Sequence, residues 1–499
     1  MSVPSSVAQR DDHVRSWETV TGGLSQFIGG EFVDGTSADS VPVVDPSSGD
    51  VIASLKGAGP GDVSAAIDAA ERAQPAWNNL GFYERAMRML RLADAIEERR
   101  SELAGLDAVD SGNPVIAMED DVLLGLRQLR QMAGMGLAIR GETFPMEGGG
   151  LHYTSVEPFG VVARIVPFNH PSLFAITKIA APLIGGNTVV MKPAEQTSLT
   201  NLFLGELFAE YLPEGVVNVV TGGAQTGATL IADERVKRIA FMGSVETGMR
   251  IQSAAAQVGI KYVTLELGGK NPMIVFPDAD VSAASVGCVT GMNLTTCQGQ
   301  SCGSNSRIFV HDDIYDEFMD GLVAELKGIR LGVAYSRDTD MGPVIDRRQL
   351  DRIADFVSHG RDSARIVYEA PVSGDLPQGG YFSAPTVIDQ IAPNDRLAVD
   401  EIFGPVISVF RWKDVEGVVA AANDVRYGLT ASVWSKDIDR ATSMASRLQA
   451  GYVWINEHGR HYIGTPFGGY KASGIGEEES FSEIESFLQR KSVHIRVKP

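Results

Sequence analysis

Between Gly160 and Glu266, short apolar runs alternate with stretches of helical spacing. The runs are GVVARIV (160–166), TVVM (188–191), VVNVV (216–220), RIAF (238–241) and YVTLEL (262–267). They are rich in β-branched residues and too short for helices, so each predicts a buried strand. The stretches 172–184, 197–211, 224–233 and 246–257 predict the helices between them. This alternation predicts a parallel sheet wound with helices, which takes ligands at the carboxyl ends of its strands. Upstream, Ala86, Leu90, Ala93, Ile96, Leu103 and Leu106 recur every three or four residues. They predict one amphipathic helix over 82–106, stopped by Gly112, Asn113 and Pro114. After Asn271, the runs MIVF (273–276), RIFV (307–310) and VISVF (406–410) predict a second α/β unit. The turn-rich stretch 141–159 predicts a hairpin leaving the body, and the tail KSVHIRVKP reads as a strand. Residues 1–20 read as a disordered polar arm.

Composition narrows the function. With 499 residues, 44% of them apolar, the chain exceeds one ordinary core, so two or more lobes are expected. A formal net charge of -20 repels phosphate backbones and anionic lipid, so neither nucleic acid nor membrane is an expected partner. The most apolar stretch, Ile179 to Met191, is interrupted by Pro182, Gly185, Gly186 and Asn187 and cannot span a bilayer. The polar N-terminus carries Asp11 and Asp12 and no signal-peptide core, which leaves the cytoplasm as the expected location. Three cysteines, Cys288, Cys297 and Cys302, make no disulfide framework. Without CxxC or HExxH, no metal site is expected.

Several loops carry candidate chemistry. Cys302 sits in CQGQSCGSNSR, where Gly299 and Gly303 give access to the sulfur and backbone N–H groups can stabilise its anion. Taken alone, the segment fits a small buried thiol equally well. Glu266 ends an apolar strand in LELGGKNP, a costly place for a carboxylate unless it serves as a base with a raised pKa. In FMGSVETG, Gly243, Ser244 and Gly248 open a helix whose free N–H groups suit a diphosphate. Lys192 and Glu195 of MKPAEQTS could grip ribose hydroxyls, and Glu195 would repel a 2′-phosphate. Asn169 in PFNHP could donate to an oxyanion. DEIFGPV (400–406) and PFGGYKASGIG (466–476) are glycine-bearing turns. Each of these segments, seen alone, is explained as well by an ordinary turn or surface charge.

Together, in order and spacing, LELGGKNP, GQSC, EIFGPV and PFGGYKxSGIG resemble the aldehyde dehydrogenase superfamily from about Phe27 to Val497. The resemblance implies catalytic roles for Cys302 as nucleophile, Glu266 as general base, Asn169 and the Cys302 N–H as oxyanion donors, and Lys178 in proton relay. It implies NAD as cofactor, held by Lys192, Glu195, Gly243, Ser244 and Gly248, with Glu401 on the nicotinamide ribose and Phe403 beside the nicotinamide. The implied fold is α/β: a Rossmann-like NAD-binding domain (1–140 and 160–268), an α/β catalytic domain (269–484) and a small β oligomerisation arm (141–159 and 485–499). The arm implies self-association as a homodimer or homotetramer. A CoA-acylating relative is disfavoured because Glu266 is present, and a non-catalytic member because no catalytic residue is lost. Phe168, His170, Met242, Asp400 and Glu477 depart from the commonest family wording. Phe168, Leu173 and Phe174 are expected to wall the substrate pocket, widened at Thr177, for an aromatic or medium-chain aldehyde. Alternatively, His170, Arg460 and His461 form a basic mouth for a carboxylate-bearing semialdehyde.

Overall fold

The computed structural model describes residues 5–145 and 150–496. The five apolar runs are the parallel strands Val161–Ile165, Thr188–Lys192, Val217–Val220, Val236–Met242 and Tyr262–Glu266. In space the third, second, first, fourth and fifth lie side by side. The chain thus reverses direction across the sheet between Val161–Ile165 and Val236–Met242, a switch point that opens a crevice above the strand ends. Val162, Val189 and Met191 face one apolar core, while Val161, Ala163 and Val190 face another. Burial on both faces explains why these strands read as continuous apolar runs. Antiparallel strands Gln26–Ile28 and Glu31–Val33 extend one edge, and Gly474–Ile475 the other.

A second sheet is built from Pro272–Val275, Arg307–His311, Thr386–Asp389, Val406–Trp412, Thr430–Trp434 and Tyr452–Ile455, all parallel, with Arg365–Glu369 antiparallel at one edge. The strand Leu151–Pro158 pairs antiparallel with both Thr143–Phe144 and the tail strand Leu488–Ile495 in a separate three-stranded sheet. The hairpin and tail expected to form the arm share this sheet, apart from 146–149 and 497–499, which lie outside the described residues. Among the described residues no helix is long and apolar enough to cross a membrane.

Three expectations need correction. Residues 5–20 are not a disordered arm, and 1–4 lie outside the described residues: Ser5–Thr21 is a helix packed on the helices Arg100–Ser111 and Leu199–Tyr211, with Trp17 buried. The stretch 82–106 is two helices, Gly81–Glu98 and Arg100–Ser111, broken at Arg99 (φ -97°, ψ 12°). The bend lets Leu92 and Ile96 before it, and Leu103 and Leu106 after it, enter one core. The helix over 172–184 divides into Pro171–Thr177 and Ala180–Ile184. Pro182 has no N–H to give the Lys178 carbonyl four residues back. That carbonyl accepts instead from Arg164 Nε at 2.6 Å.

Candidate active site

Two cavities meet at Asn169, Met242 and Cys302. The larger, about 680 Å³, lies in the crevice above the first sheet and includes Gly243, Ser244, Glu266, Glu401 and Phe403. The smaller, about 180 Å³, runs between the helices and the second sheet past His170, Phe174, Trp454 and Phe467. Such a junction lets two ligands reach one thiol from different sides.

Cys302 stands on the loop leading into the strand Arg307–His311, after left-handed turns at Gln298 (φ 55°) and Gly299 (φ 75°). Asn271 clasps that loop: its Nδ2 donates to the carbonyls of Cys302 and Ser304, both at 2.8 Å, and its Oδ1 accepts from the Thr430 N–H. The glycine pair of LELGGK is a matter of space. A Cβ on Gly269 would lie 2.4 Å from the Cys302 carbonyl oxygen, and one on Gly268 would lie 2.2 Å from Glu401 Oε2. Burial raises the Cys302 thiol pKa, as do the carboxylates of Glu401 and Glu266, while its own backbone N–H favours the anion. Cys288 and Cys297 are fully buried, whereas Cys302 is partly exposed.

Glu266 ends its strand with only 5% of its surface exposed, and neither carboxylate oxygen has a partner. Burial raises its pKa well above the carboxylate range, Glu478 raises it further, and Lys178 opposes both. Asn169 Nδ2 donates to the Gln300 carbonyl at 2.9 Å, and Asn113 holds the Asn169 carbonyl at 2.8 Å, so the amide is fixed beside the thiol loop. Lys178 is tied to Glu478 at 2.5 Å. Arg164 donates to Glu478 at 3.0 Å and to Glu483 at 2.7 Å. Burial alone would raise the Glu478 pKa, but Lys178 and Arg164 hold it at about 2.

On the cofactor side, Ser244 caps the helix Val245–Val258, accepting from the Thr247 N–H, and this N-terminus lines the larger cavity. Gly248 does not: it is buried, and a Cβ there would meet Leu267 at 2.9 Å, so it permits close helix–sheet packing. Lys192 Nζ donates to the Pro193 carbonyl, its pKa lowered by burial to about 8. Glu195 is exposed, its carboxylate beside Gly223. Glu401 Oε1 accepts from the Gly269 N–H at 2.9 Å, and burial raises its pKa to about 7. Gln349 donates to the carbonyls of Ile402 and Phe403, steadying Phe403 at φ 61°.

The expected substrate wall divides. Leu173, Phe174 and Thr177 line the smaller cavity, but Phe168 lines the larger one, edge-on to Phe403 at 5.8 Å. The basic mouth does not form. Arg460 is exposed over the Tyr462 ring and lines neither cavity. His170 Nδ1 meets Asp121 at 2.6 Å, and His461 Nδ1 meets both oxygens of Glu479 at 3.0 Å. Burial lowers the His170 pKa, but Asp121, with Cys297 adding, raises it well above the usual imidazole value. Both imidazoles that line the smaller cavity therefore already hold a carboxylate. Asp121, Trp454, Glu478 and Glu479 belong to the site and were missed from sequence. One cue was available: Arg164 is the only charge inside GVVARIV and needed a buried counterion.

The aldehyde dehydrogenase family model matches residues 32–493. An aldehyde dehydrogenase of Talaromyces stipitatus is 40% identical over 91% of this chain and 90% of its own. A hydroxyisobutyraldehyde dehydrogenase of Mycolicibacterium austroafricanum is 38% identical over 95% and 94%. Among solved structures, the NAD+ complex of a Bacillus cereus aldehyde dehydrogenase superposes with TM-score 0.92 at 36% identity, covering 100% of both chains. A Staphylococcus aureus betaine aldehyde dehydrogenase in complex with NAD+ superposes with TM-score 0.93 at 32% identity over 97% of each.

Proposed function

Because this chain belongs to the aldehyde dehydrogenase family, whose members oxidise aldehydes with NAD, we propose that it converts an aldehyde to its carboxylic acid through a thioester on Cys302. The observation carrying this reading is the meeting of two cavities at a partly exposed thiol, beside an unpartnered buried carboxylate and a fixed amide.

The crevice fits a dinucleotide. A helix N-terminus, the free oxygen of Glu401 and Phe403 line it and offer groups for diphosphate, ribose and nicotinamide; the Lys192–Glu195 turn, outside the cavity lining, offers groups for the second ribose. When bound, NAD+ supplies the two-electron oxidant that the aldehyde carbon needs. The exposed Glu195 carboxylate favours NAD over NADP by repelling a 2′-phosphate.

The remaining steps fall to this chain's side chains. The Cys302 thiol is neutral at rest and gives its proton to Glu266 as sulfur attacks the carbonyl carbon. The Asn169 amide and the Cys302 N–H stabilise the oxyanion. After oxidation, Glu266 gives up the thiol proton to solvent and takes one from water, which attacks the thioester; that proton passes to the departing sulfur, releasing acid and free thiol. Lys178, held by Glu478, steadies the charge opposite the base. The substrate cavity, walled by Leu173 and Phe174 and widened at Thr177, suits aromatic or medium-chain aldehydes. The three-stranded sheet leaves Leu488–Ile495 as an edge strand, which supports pairing between copies as a dimer or tetramer.

Cys302→Ala tests the assignment. NADH formation from any accepted aldehyde should fall to background while NAD+ binding persists. Turnover near the wild-type rate would overturn it.

A further inference from the structure

We infer that Arg426 is a further cofactor-binding residue, whose guanidinium, paired here with Glu246, exchanges that carboxylate for the diphosphate of the bound dinucleotide. The inference rests on the reading that the dinucleotide lies in the larger cavity, with its diphosphate at the N-terminus of the helix Val245–Val258.

Arg426 lies on the loop between the helix Val415–Asn423 and the strand Thr430–Trp434, so it belongs to the second sheet's side of the crevice. Glu246 comes from the first side, as the second residue of the helix Val245–Val258. Both line the larger cavity. Arg426 Nη2 donates to Glu246 Oε1 at 3.1 Å, which puts the guanidinium against the first turn of that helix. The buried Tyr427 keeps it there. Its hydroxyl accepts from the same Nη2 at 2.8 Å, and its ring centre lies 4.9 Å from the guanidinium carbon. This anchor does not involve Glu246, so the guanidinium keeps its place when the carboxylate moves aside. Nε and Nη1 donate to nothing among the described residues, which leaves three N–H groups for phosphate oxygens.

Charge makes the exchange necessary. Glu246 stands on the helix end that takes the diphosphate, and its own N–H, with Arg426 adding, holds its pKa below the usual carboxylate value. A diphosphate arriving there meets a like charge, and a cation is needed to offset the repulsion. Of the other cations on the cavity wall, Arg352 is spent on the carbonyls of Glu401 and Ile402 at the nicotinamide end. Arg348 reaches into solvent, with 85% of its side chain exposed. That leaves Arg426, and a guanidinium fits phosphate oxygens in shape as well as in charge. Glu246 and the diphosphate thus compete for one cation and one helix end. Their present ion pair is half exposed and therefore weak, so giving it up costs little.

The test measures dissociation constants at low ionic strength, for NADH by its fluorescence and for ADP-ribose and adenosine by displacement of NADH. Arg426→Met should weaken NADH and ADP-ribose by about tenfold and leave adenosine, which carries no phosphate, unchanged. Arg426→Lys should restore part of the loss. Glu246→Gln separates recognition from bracing. With the competing carboxylate gone, ADP-ribose should bind at least as tightly as to wild type. If the ion pair only braced the two sides of the crevice, loss of either partner would weaken binding alike. Equal ADP-ribose affinity in wild type and Arg426→Met would overturn the inference. So would a loss in Glu246→Gln that matches the loss in Arg426→Met, or an adenosine loss as large as that of ADP-ribose. Wild-type protein that binds neither NADH nor ADP-ribose sinks the reading of the crevice beneath it.

Discussion

Glu478→Gln removes the shared anion of a buried network with almost no change in shape. Glu478 accepts from Lys178 and from Arg164, and all three side chains are less than a tenth exposed. The depression of its pKa from 4.5 to about 2 corresponds to about 3 kcal/mol at 1.36 kcal/mol per pH unit. Loss of one partner from a buried pair costs about 3–5 kcal/mol, which agrees. The folded pKa is depressed, so this contribution is fully present above pH 4.5 and is lost as pH falls towards 2. Urea unfolding at pH 7.5 and at pH 5.5 should therefore show the variant about 3 kcal/mol less stable at both. Glu478 is also the nearby anion that most raises the Glu266 pKa. Neutralising it should move the acidic limb of the pH–kcat/KM profile downward. A variant within about 0.5 kcal/mol of wild type, with an unmoved acidic limb, would refute the coupling.

Glu266→Gln should lower turnover by about a hundredfold to ten-thousandfold and slow the first NADH formation as well as the hydrolysis, so that rapid-mixing absorbance shows no fast burst. In the wild type the raised Glu266 pKa means that activity is lost as pH falls through a value well above 4.5, and this limb should vanish in the variant. Glu195→Ser removes the charge facing a 2′-phosphate and should raise the NADP-to-NAD ratio of kcat/KM by about tenfold, about 1.4 kcal/mol; an unchanged ratio would count against Glu195 as the discriminator. Trp17→Ala should destabilise the protein by about 3 kcal/mol, read by urea unfolding, because the ring is 3% exposed between helices. An unchanged midpoint would mean that the N-terminal helix bears no load.

The strands of the first sheet were readable because both of their faces are buried, which writes an uninterrupted β-branched run into the chain. Catalytic positions were readable through wording, since Cys302, Glu266 and Asn169 sit in turns whose glycines and prolines are spaced by steric need. The N-terminal helix was not readable. Its few apolar residues, such as Val14 and Trp17, form a sparse stripe that tertiary docking completes. Nor could sequence show that His170 meets Asp121, 49 residues away, or that His461 meets Glu479. Charges close in space but distant along the chain made a basic mouth look real. Arg99 broke a helix whose periodicity continued past it, because a bend preserves the spacing while redirecting the axis.

The clasp of Asn271 gives the molecule a mechanical property. It fastens the thiol to the second sheet through Thr430, while Glu266 and Asn169 hang from the ends of strands in the first. Nucleophile and base are therefore borne by different sheets, spliced by residues 267–271 and by bonds across the site such as that of Asn169 to Gln300. An error of about 1 Å in such an alignment costs on the order of a hundredfold in rate. The stiffness of that splice is thus a kinetic quantity. Substitutions that loosen it, even ones remote from both cavities, will register as slow enzymes before they register as unstable proteins.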